Sequence, residues 1–466
     1  MKILVGIASY GTKNDRFLRR VIAEYRSMNH PVDVVVFSNV KKALGFEVEL
    51  IVGLPTRNPW SLPFAHKKVF AERADKYDLF IYSEDDILIT QANIEAFLGT
   101  THVLPLNEIA GFLRTEVGPD GRRYFADIHS HFHWGPASVC RRGEYICAYF
   151  SNEHSACYLL TQKQLKRVLA SGGYLVQPHD GKYSMLETAA TDPYTGCGMR
   201  KMICISHLDD FLLPHLPNNY IGRLGLEERE LCRQVDALLA INRGERIPTK
   251  LFSVETRVQH QQWSKLYYEP RNESILSMVP KKANVLSVGC GQGLTEQALI
   301  ERGNHVVGLP LDSVIASCAE AKGVNVVLGE LNTVSRHFNG DRFDCILFLS
   351  ILHLLPNPAA TLASFARLLS PDGRIVIELP NFSYLPYVWH RVRRDPQFKN
   401  LGSYEASGLH ITTQRVVRKW FAECRLATEK ILNVVPERWQ RLKGFLGNTA
   451  DVLFGSELIA VGRKVQ

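Results

Sequence analysis

Three carboxylates in succession, Glu84, Asp85 and Asp86, follow the apolar run 78–82 (DLFIY). Neighbouring carboxylates repel one another and gain nothing from packing. The triplet is explained if it holds a hard divalent cation, which prefers carboxylate oxygens and bridges to phosphate. If the apolar run is a strand of a parallel sheet, the triplet lies at its carboxyl end, where open α/β sheets bind ligands. Farther on, SHLDDFLLPHLPNNY (206–220) sets Asp209 and Asp210 between His207 and His215, and MLETAATD carries Glu187. A carboxylate within hydrogen-bond reach of a hydroxyl can take its proton, so Asp209, Asp210 and then Glu187 are the candidate bases. His129, His131 and His133 (HSHFHW) would share one face of a strand and could ligate zinc, although no fourth ligand is evident. They could instead line a groove with Trp134, which Glu153 and His154 could also face.

A second chemistry is written around NVLSVGCGQG (284–293). An apolar strand runs into Gly289, Cys290, Gly291, Gln292 and Gly293, and a helix opens at Leu294. Glycines there let the backbone turn tightly and approach a ligand that the helix N–H groups then face. His353 adds an imidazole that titrates near neutrality, either as a general base or as a satisfied structural group.

The elements that must position these residues read as alternating strands and helices. Strands are expected at 2–9, 32–38, 47–52 and 78–82, with helices at 16–27, 65–76 and 227–241. The alternation restarts at Asn284 with strands at 284–288, 304–309, 324–328, 344–349 and 373–379, and helices at 294–302, 312–322 and 358–369. Gln259–Ser277 reads as a helical, aromatic lead-in to that second half. The fold class is therefore α/β with two domains, 1–245 and 246–466, divided in the polar stretch NRGERIPT (242–249).

A chain of 466 residues exceeds what one core organises, and 45% hydrophobic with 22% charged residues is ordinary globular composition. No run approaches the roughly 20 apolar residues of a membrane span. The ten cysteines are scattered without framework spacing, which suits a reducing cytosol. A formal charge of +8 suits anionic small molecules, an acidic glycan or peripheral contact with an anionic membrane. It is too diffuse for nucleic acid. The one local basic cluster, Arg391, Arg393 and Arg394 with Lys399 nearby, reads as a solvated face.

YSEDDIL (82–88), behind its strand, resembles the acidic metal-binding motif of GT-A-type glycosyltransferases. The resemblance implies that Mn²⁺ or Mg²⁺ at Glu84, Asp85 and Asp86, completed by His215, grips the diphosphate of a nucleotide-sugar donor. It places base and ribose against Ser9 and Tyr10, with Ser38 and Asn39 as further contacts, and implies a glycan or glycolipid acceptor. Downstream, the glycine loop, DCILFLSILHLL (344–355) and LLSPDGRIVIE (368–378) resemble class I S-adenosylmethionine methyltransferases in order and spacing. That likeness spans roughly 255–466. It implies that Gly289, Cys290, Gly291 and Gly293 line the amino-acid and ribose region of S-adenosylmethionine. Glu330 and Leu331 would then lie near the adenine, and Leu349 beside the methionine portion.

Two positions depart from that pattern. Ser287 stands where the family has an acidic residue, and Leu309-Pro310 end the second strand where a carboxylate should accept from both ribose hydroxyls. Asp312 comes two positions late. Losing such contacts weakens binding by on the order of 1.5–3 kcal/mol per charged hydrogen bond. The sequence thus supports a bifunctional transferase that adds a sugar and methylates a hydroxyl, with His353 as base. The alternatives are a C-terminal scaffold, a sugar nucleotidyltransferase, or a glycan-binding protein on decayed folds. Against the nucleotidyltransferase, SYGTKNDR offers one glycine and one lysine where a glycine- and basic-rich loop belongs.

Overall fold

The computed structural model describes residues 1–338, 340–395, 398, 400–440, 451 and 453–465. The chain forms two compact units, Met1–Glu245 and Arg246–Gln466.

In the first unit, strands β1 (Ile3–Ala8), β2 (Val32–Ser38), β3 (Glu49–Val52) and β4 (Leu79–Glu84) run parallel. Every residue of β1 is buried, as a strand covered on both faces requires. The helix Asp15–Ser27 turns Leu18, Val21, Ile22 and Tyr25 onto the sheet, the spacing of one helical face. Gly6 is needed where the next helix crosses, since a Cβ there would lie 3.1 Å from His66 Cβ and from the Phe70 ring.

Short strands follow: β5 (Glu108–Ala110), β6 (Leu113–Val117), β7 (Arg123–Phe125), β8 (Cys140–Arg142) and β9 (Tyr145–Tyr149). After them come β10 (Cys157–Thr161), β11 (Arg200–Cys204), β12 (Leu212–Pro214) and β13 (Leu226–Glu227). β10 adds antiparallel to β4, giving the order β10-β4-β1-β2-β3. The others form two four-stranded sheets, β5-β11-β9-β8 and β12-β6-β7-β13. His129–His133 is not a strand: Ser130 has φ 54° and Phe132 N–H donates to the His129 carbonyl. The three imidazoles therefore do not share a face.

The second unit is built on β14 (Asn284–Cys290), β15 (His305–Pro310), β16 (Asn325–Val326), β17 (Phe343–Leu349), β18 (Leu369–Pro380), β19 (Leu426–Val434) and β20 (Glu457–Lys464). Their order is β16-β15-β14-β17-β18-β20-β19. The first five are parallel, a doubly wound arrangement whose order reverses beside β14. β20 runs antiparallel between β18 and β19. This hairpin, absent from the sequence expectation, buries Leu458, Ile459, Ala460 and Val461.

The expected helix at 259–277 is not formed. Only Gln259–Gln261 and Glu273–Leu276 are helical, and His260, Gln261 and Trp263 have positive φ. The apolar and aromatic residues that suggested a helix instead line an irregular segment, in which Tyr267 is fully buried. Arg391, Arg393 and Arg394 are exposed, with Arg393 over the Trp389 ring at 4.3 Å; Lys399 lies outside the described residues.

Asp312 is 1% exposed, and its Oδ1 accepts from the Val314 and Ile315 N–H groups at 2.7 and 2.8 Å. Burial pushes its pKa up to about 6 against those bonds. A carboxylate whose folded pKa is raised stabilises fully at low pH, and that contribution is lost as pH rises towards the folded pKa. Asp312→Asn keeps the acceptor and removes the charge. It is expected to stabilise by about 1–3 kcal/mol at pH 8 and to be neutral near pH 4. Urea melts at the two pH values check this.

Candidate functional site

Glu84 ends β4, and Asp85 and Asp86 form the turn beyond it, beside the end of β1. Parallel pairing of β4 with β1 brings Ser9 against the turn, where its Oγ donates to Asp85 Oδ2 at 2.5 Å. Asn14, the residue before the helix that follows β1, donates to Asp85 Oδ1 at 2.8 Å and to Asp86 Oδ2 at 3.2 Å. On the other side, β12 delivers His215 through an antiparallel bridge with Ile87. His215 Nε2 lies 3.5 Å from Asp86 Oδ2, and Nδ1 lies 2.5 Å from Glu116 Oε1. Glu116 therefore fixes the ring and leaves Nε2 towards Asp86.

The electrostatics follow from this crowding. Burial, then the charge of Asp86, pushes Glu84 up to about 8. Burial likewise raises Asp85 to about 6, although the Ser9 and Asn14 bonds oppose it. Burial alone would lower His215, but the Asp86 and Glu116 carboxylates hold it above the ordinary histidine value. The turn is thus a buried cluster of acids in which Glu84 holds its proton up to about pH 8 and Asp86 is paired with His215. Among the described residues no group of three His, Cys, Asp or Glu side chains is assembled as a metal cage. Asp86 and His215 lie side by side as an ion pair at the mouth of the turn.

A cavity of about 310 Å³ opens on the turn, lined by all three carboxylates, Tyr10, Asn14 and Trp60. Tyr10 and Trp60 are each 54% exposed, large apolar surfaces left at the mouth. Trp60 is held on a 3₁₀ turn, Pro59–Phe64, capped by Asn58 Oδ1 accepting from the Trp60 N–H at 3.0 Å. Sequence reasoning missed Asn14, Trp60 and Glu116. An aromatic between prolines in NPWSLP was a readable signal for Trp60; Glu116 acts only through a pairing distant in sequence.

Other candidates are placed elsewhere. Ser38 is fully buried and its Oγ accepts from the Val40 N–H at 3.3 Å. Asn39 Oδ1 accepts from the Gly11 N–H at 2.7 Å, tying two loops together. Asp209 is exposed and bonded to Arg123 at 2.8 Å, which also holds Glu228. Asp210 is exposed, and neither of this pair lines the cavity. These positions correct the expectation that they serve as bases: an exposed ion pair and a short 3₁₀ turn account for them. Glu187 caps its own helix through the Ser184 N–H and Oγ, next to Leu186 of the cavity wall. Among the proposed bases it alone adjoins the site.

In the second unit Gly289 and Gly293 have φ of 78° and 87°, which glycine alone adopts freely. Ser287 Oγ donates to Glu296 Oε1 at 2.6 Å, which sets a buried carboxylate of the following helix beside β14. Cys290 is buried, its thiol pushed well up by burial. Pro310 ends β15 without a side-chain acceptor. Glu330 is exposed and, with Leu331, lines a separate cavity of about 690 Å³. The Leu349 carbonyl accepts from Lys265 Nζ at 2.8 Å. His353 is corrected as a base: it is buried, bonds the Trp263 carbonyl through Nε2 at 2.8 Å, and burial lowers its pKa to about 4.

Residues 270–438 match the family described as methionine biosynthesis protein MetW. The ubiquinone biosynthesis O-methyltransferase of Aeromonas salmonicida is 29% identical over 103 residues, 21% of this chain and 43% of that one. Its counterpart from Alkalilimnicola ehrlichii is 28% identical over 110 residues, 22% of this chain and 44% of that one. The chain spans under half the length of these two curated relatives. Among solved structures, an S-adenosylmethionine dependent methyltransferase from Mesorhizobium loti aligns at 18% identity and TM-score 0.31, covering 41% of this chain and 96% of that one. Magnesium protoporphyrin IX methyltransferase from Synechocystis PCC 6803, with bound SAH, aligns at 15% identity and TM-score 0.31, covering 41% and 81%. The second unit is Rossmann-like in its strand order, and part of it is similar in sequence to the MetW family and to these O-methyltransferases. Among the described residues no helix is long and apolar enough to cross a membrane.

Proposed function

We propose that the first unit is a GT-A-type glycosyltransferase domain that transfers a sugar from a nucleotide-diphosphate donor to a glycan or glycolipid acceptor. The observation that carries the reading is the acidic turn Glu84–Asp86 opening on a cavity with His215 beside Asp86. Asp86 and His215 would hold Mn²⁺ or Mg²⁺, which when bound neutralises charge developing on the departing diphosphate. Ser9 and Asn14 hold Asp85 in place, and Glu116 orients His215. Tyr10 and Trp60 offer stacking faces for the base, and Glu187 is the nearest of the candidate proton acceptors.

The second unit, by its relatives, is proposed to act as an S-adenosylmethionine-dependent O-methyltransferase domain on a hydroxyl of the same class of glycan. Its cofactor would lie along Gly289–Gly293 at the carboxyl ends of β14 and β15.

A panel of nucleotide-sugars, screened by thermal shift and by donor turnover with and without Mn²⁺, tests the first assignment. A donor that raises the melting point only with metal is the expected result. Silence with every donor, with and without metal, defeats it. Within that assay Trp60→Ala is expected to raise the donor KM roughly tenfold, the loss of one stacking face, with a smaller change in kcat. An unchanged KM removes Trp60 from the donor site.

A further inference from the structure

A doubly wound sheet with a glycine loop after its first strand binds the nucleoside part of a cofactor where the second strand ends, about 20 residues beyond the loop. That place in the second unit is the end of β15, at Pro310 and the residues after it. It is already lined by the chain itself. Thr249–Leu251 runs antiparallel to Leu311–Ser313: Leu251 N–H donates to the Leu311 carbonyl at 2.8 Å, and Ser313 N–H to the Thr249 carbonyl at 3.0 Å. Across the crevice, the Leu331 N–H donates to the Leu251 carbonyl at 3.0 Å. An adenine that took a hydrogen bond from the Leu331 N–H would have to displace the Leu251 carbonyl.

The side chains agree with the backbone. Leu251 is 4% exposed and belongs to the apolar cluster containing Val288, Leu309, Leu331 and Ile351. A few residues on, Val254 is fully buried with Tyr267 and Leu311. The segment then returns over the glycine loop, where the Gln292 N–H donates to the Tyr267 carbonyl at 2.8 Å. A Cβ on Gly291 would meet that carbonyl at 2.2 Å, so Gly291 serves this contact.

We infer that residues 249–256 are a built-in competitor for the nucleoside half of the cofactor cleft: strap and S-adenosylmethionine exclude one another, and cofactor enters only when the strap withdraws. The inference rests on the methyltransferase reading of this unit. Withdrawal gives up backbone hydrogen bonds and the burial of Leu251, and the apparent affinity falls by the fraction of molecules with the strap out.

The test is calorimetric titration of S-adenosylhomocysteine into the full chain and into Leu251→Ala and Leu251→Asp variants. The expected result is a gain of roughly tenfold or more in affinity when the strap is weakened. Leu251→Ala serves if the charged variant does not fold. Hydrogen exchange of the Leu251 amide in the unaltered chain should accelerate as S-adenosylhomocysteine is added. Equal affinity in all three proteins, with Leu251 exchange unchanged, overturns the strap and leaves the cofactor assignment standing. Absence of binding in every folded variant at millimolar ligand overturns both.

Discussion

Replacing Asp86 by Ala is expected to abolish metal-dependent donor turnover, lowering kcat/KM by roughly 10²–10³-fold, the usual consequence of removing one preorganised electrostatic group. Asp86 is singled out because Asp85 is committed to Ser9 and Asn14, whereas Asp86 faces His215 Nε2 as well as Asn14. The variant should fold, since removing Asp86 relieves Glu84 of a neighbouring charge while His215 keeps Glu116 as its partner. The melting temperature without ligand should therefore hold or rise while the Mn²⁺-dependent shift disappears. A D86A protein that retains full Mn²⁺-stimulated turnover would remove the acidic turn from the chemistry. His215→Ala should follow in the same direction with a smaller loss.

The second large effect concerns what holds the wall of that cavity. Lys67, in the helix Ala65–Glu72 directly after the turn that carries Trp60, is 2% exposed and ion-paired to Asp192, itself 1% exposed. Burial pushes the lysine pKa down and the aspartate up, each opposed by the partner's charge. Removing one partner leaves a buried charge uncompensated. Lys67→Ala is expected to cost about 3–5 kcal/mol, read as a fall in the urea midpoint with little change in slope. Removing both charges, Lys67→Met with Asp192→Leu, should recover most of that loss, because the desolvation of both ions is then avoided. If the single and double variants are equally destabilised, lost packing rather than unpaired charge is the cause. His179, 3.5 Å from Asp192 Oδ1 and partly exposed, offers the aspartate a second partner and sets the lower end of the range.

What the sequence disclosed and what it hid divide along one physical line. Strands such as β1, β2 and β14 are apolar runs bounded by turn residues, and their burial is written locally. The glycine loop is equally local, since its positive φ values are a property of the residues themselves. The position of His215 beside Asp86 follows from β12 pairing with β6 and bridging Ile87, which no local pattern encodes. Residues 259–277 show the opposite failure. Aromatic residues at helix-like spacing suggested a helix, but the packing of Tyr267 with Val254 and Leu311, and of Trp263 on Phe382 and Tyr387, fixes an irregular path that tertiary contacts alone select. His129, His131 and His133 misled in the same way, because strand alternation was assumed where Ser130 turns the chain. The hairpin of β19 and β20 was missed because β19 is mostly part-exposed and its apolar residues do not alternate with polar ones.

The order of strands in the second sheet also dictates a schedule for making the protein. β19 leaves the ribosome before β20, yet its sheet neighbour is β20 and not β18. Until residues 457–464 emerge, β18 has an open edge and β19 has nothing to zip onto. The first unit, whose pairings all lie within residues 1–245, can finish while the second is still being translated. A stalled or slowed ribosome late in the message would therefore strand a bare β-edge beside an already folded neighbour, a species prone to aggregate and a natural client for chaperones.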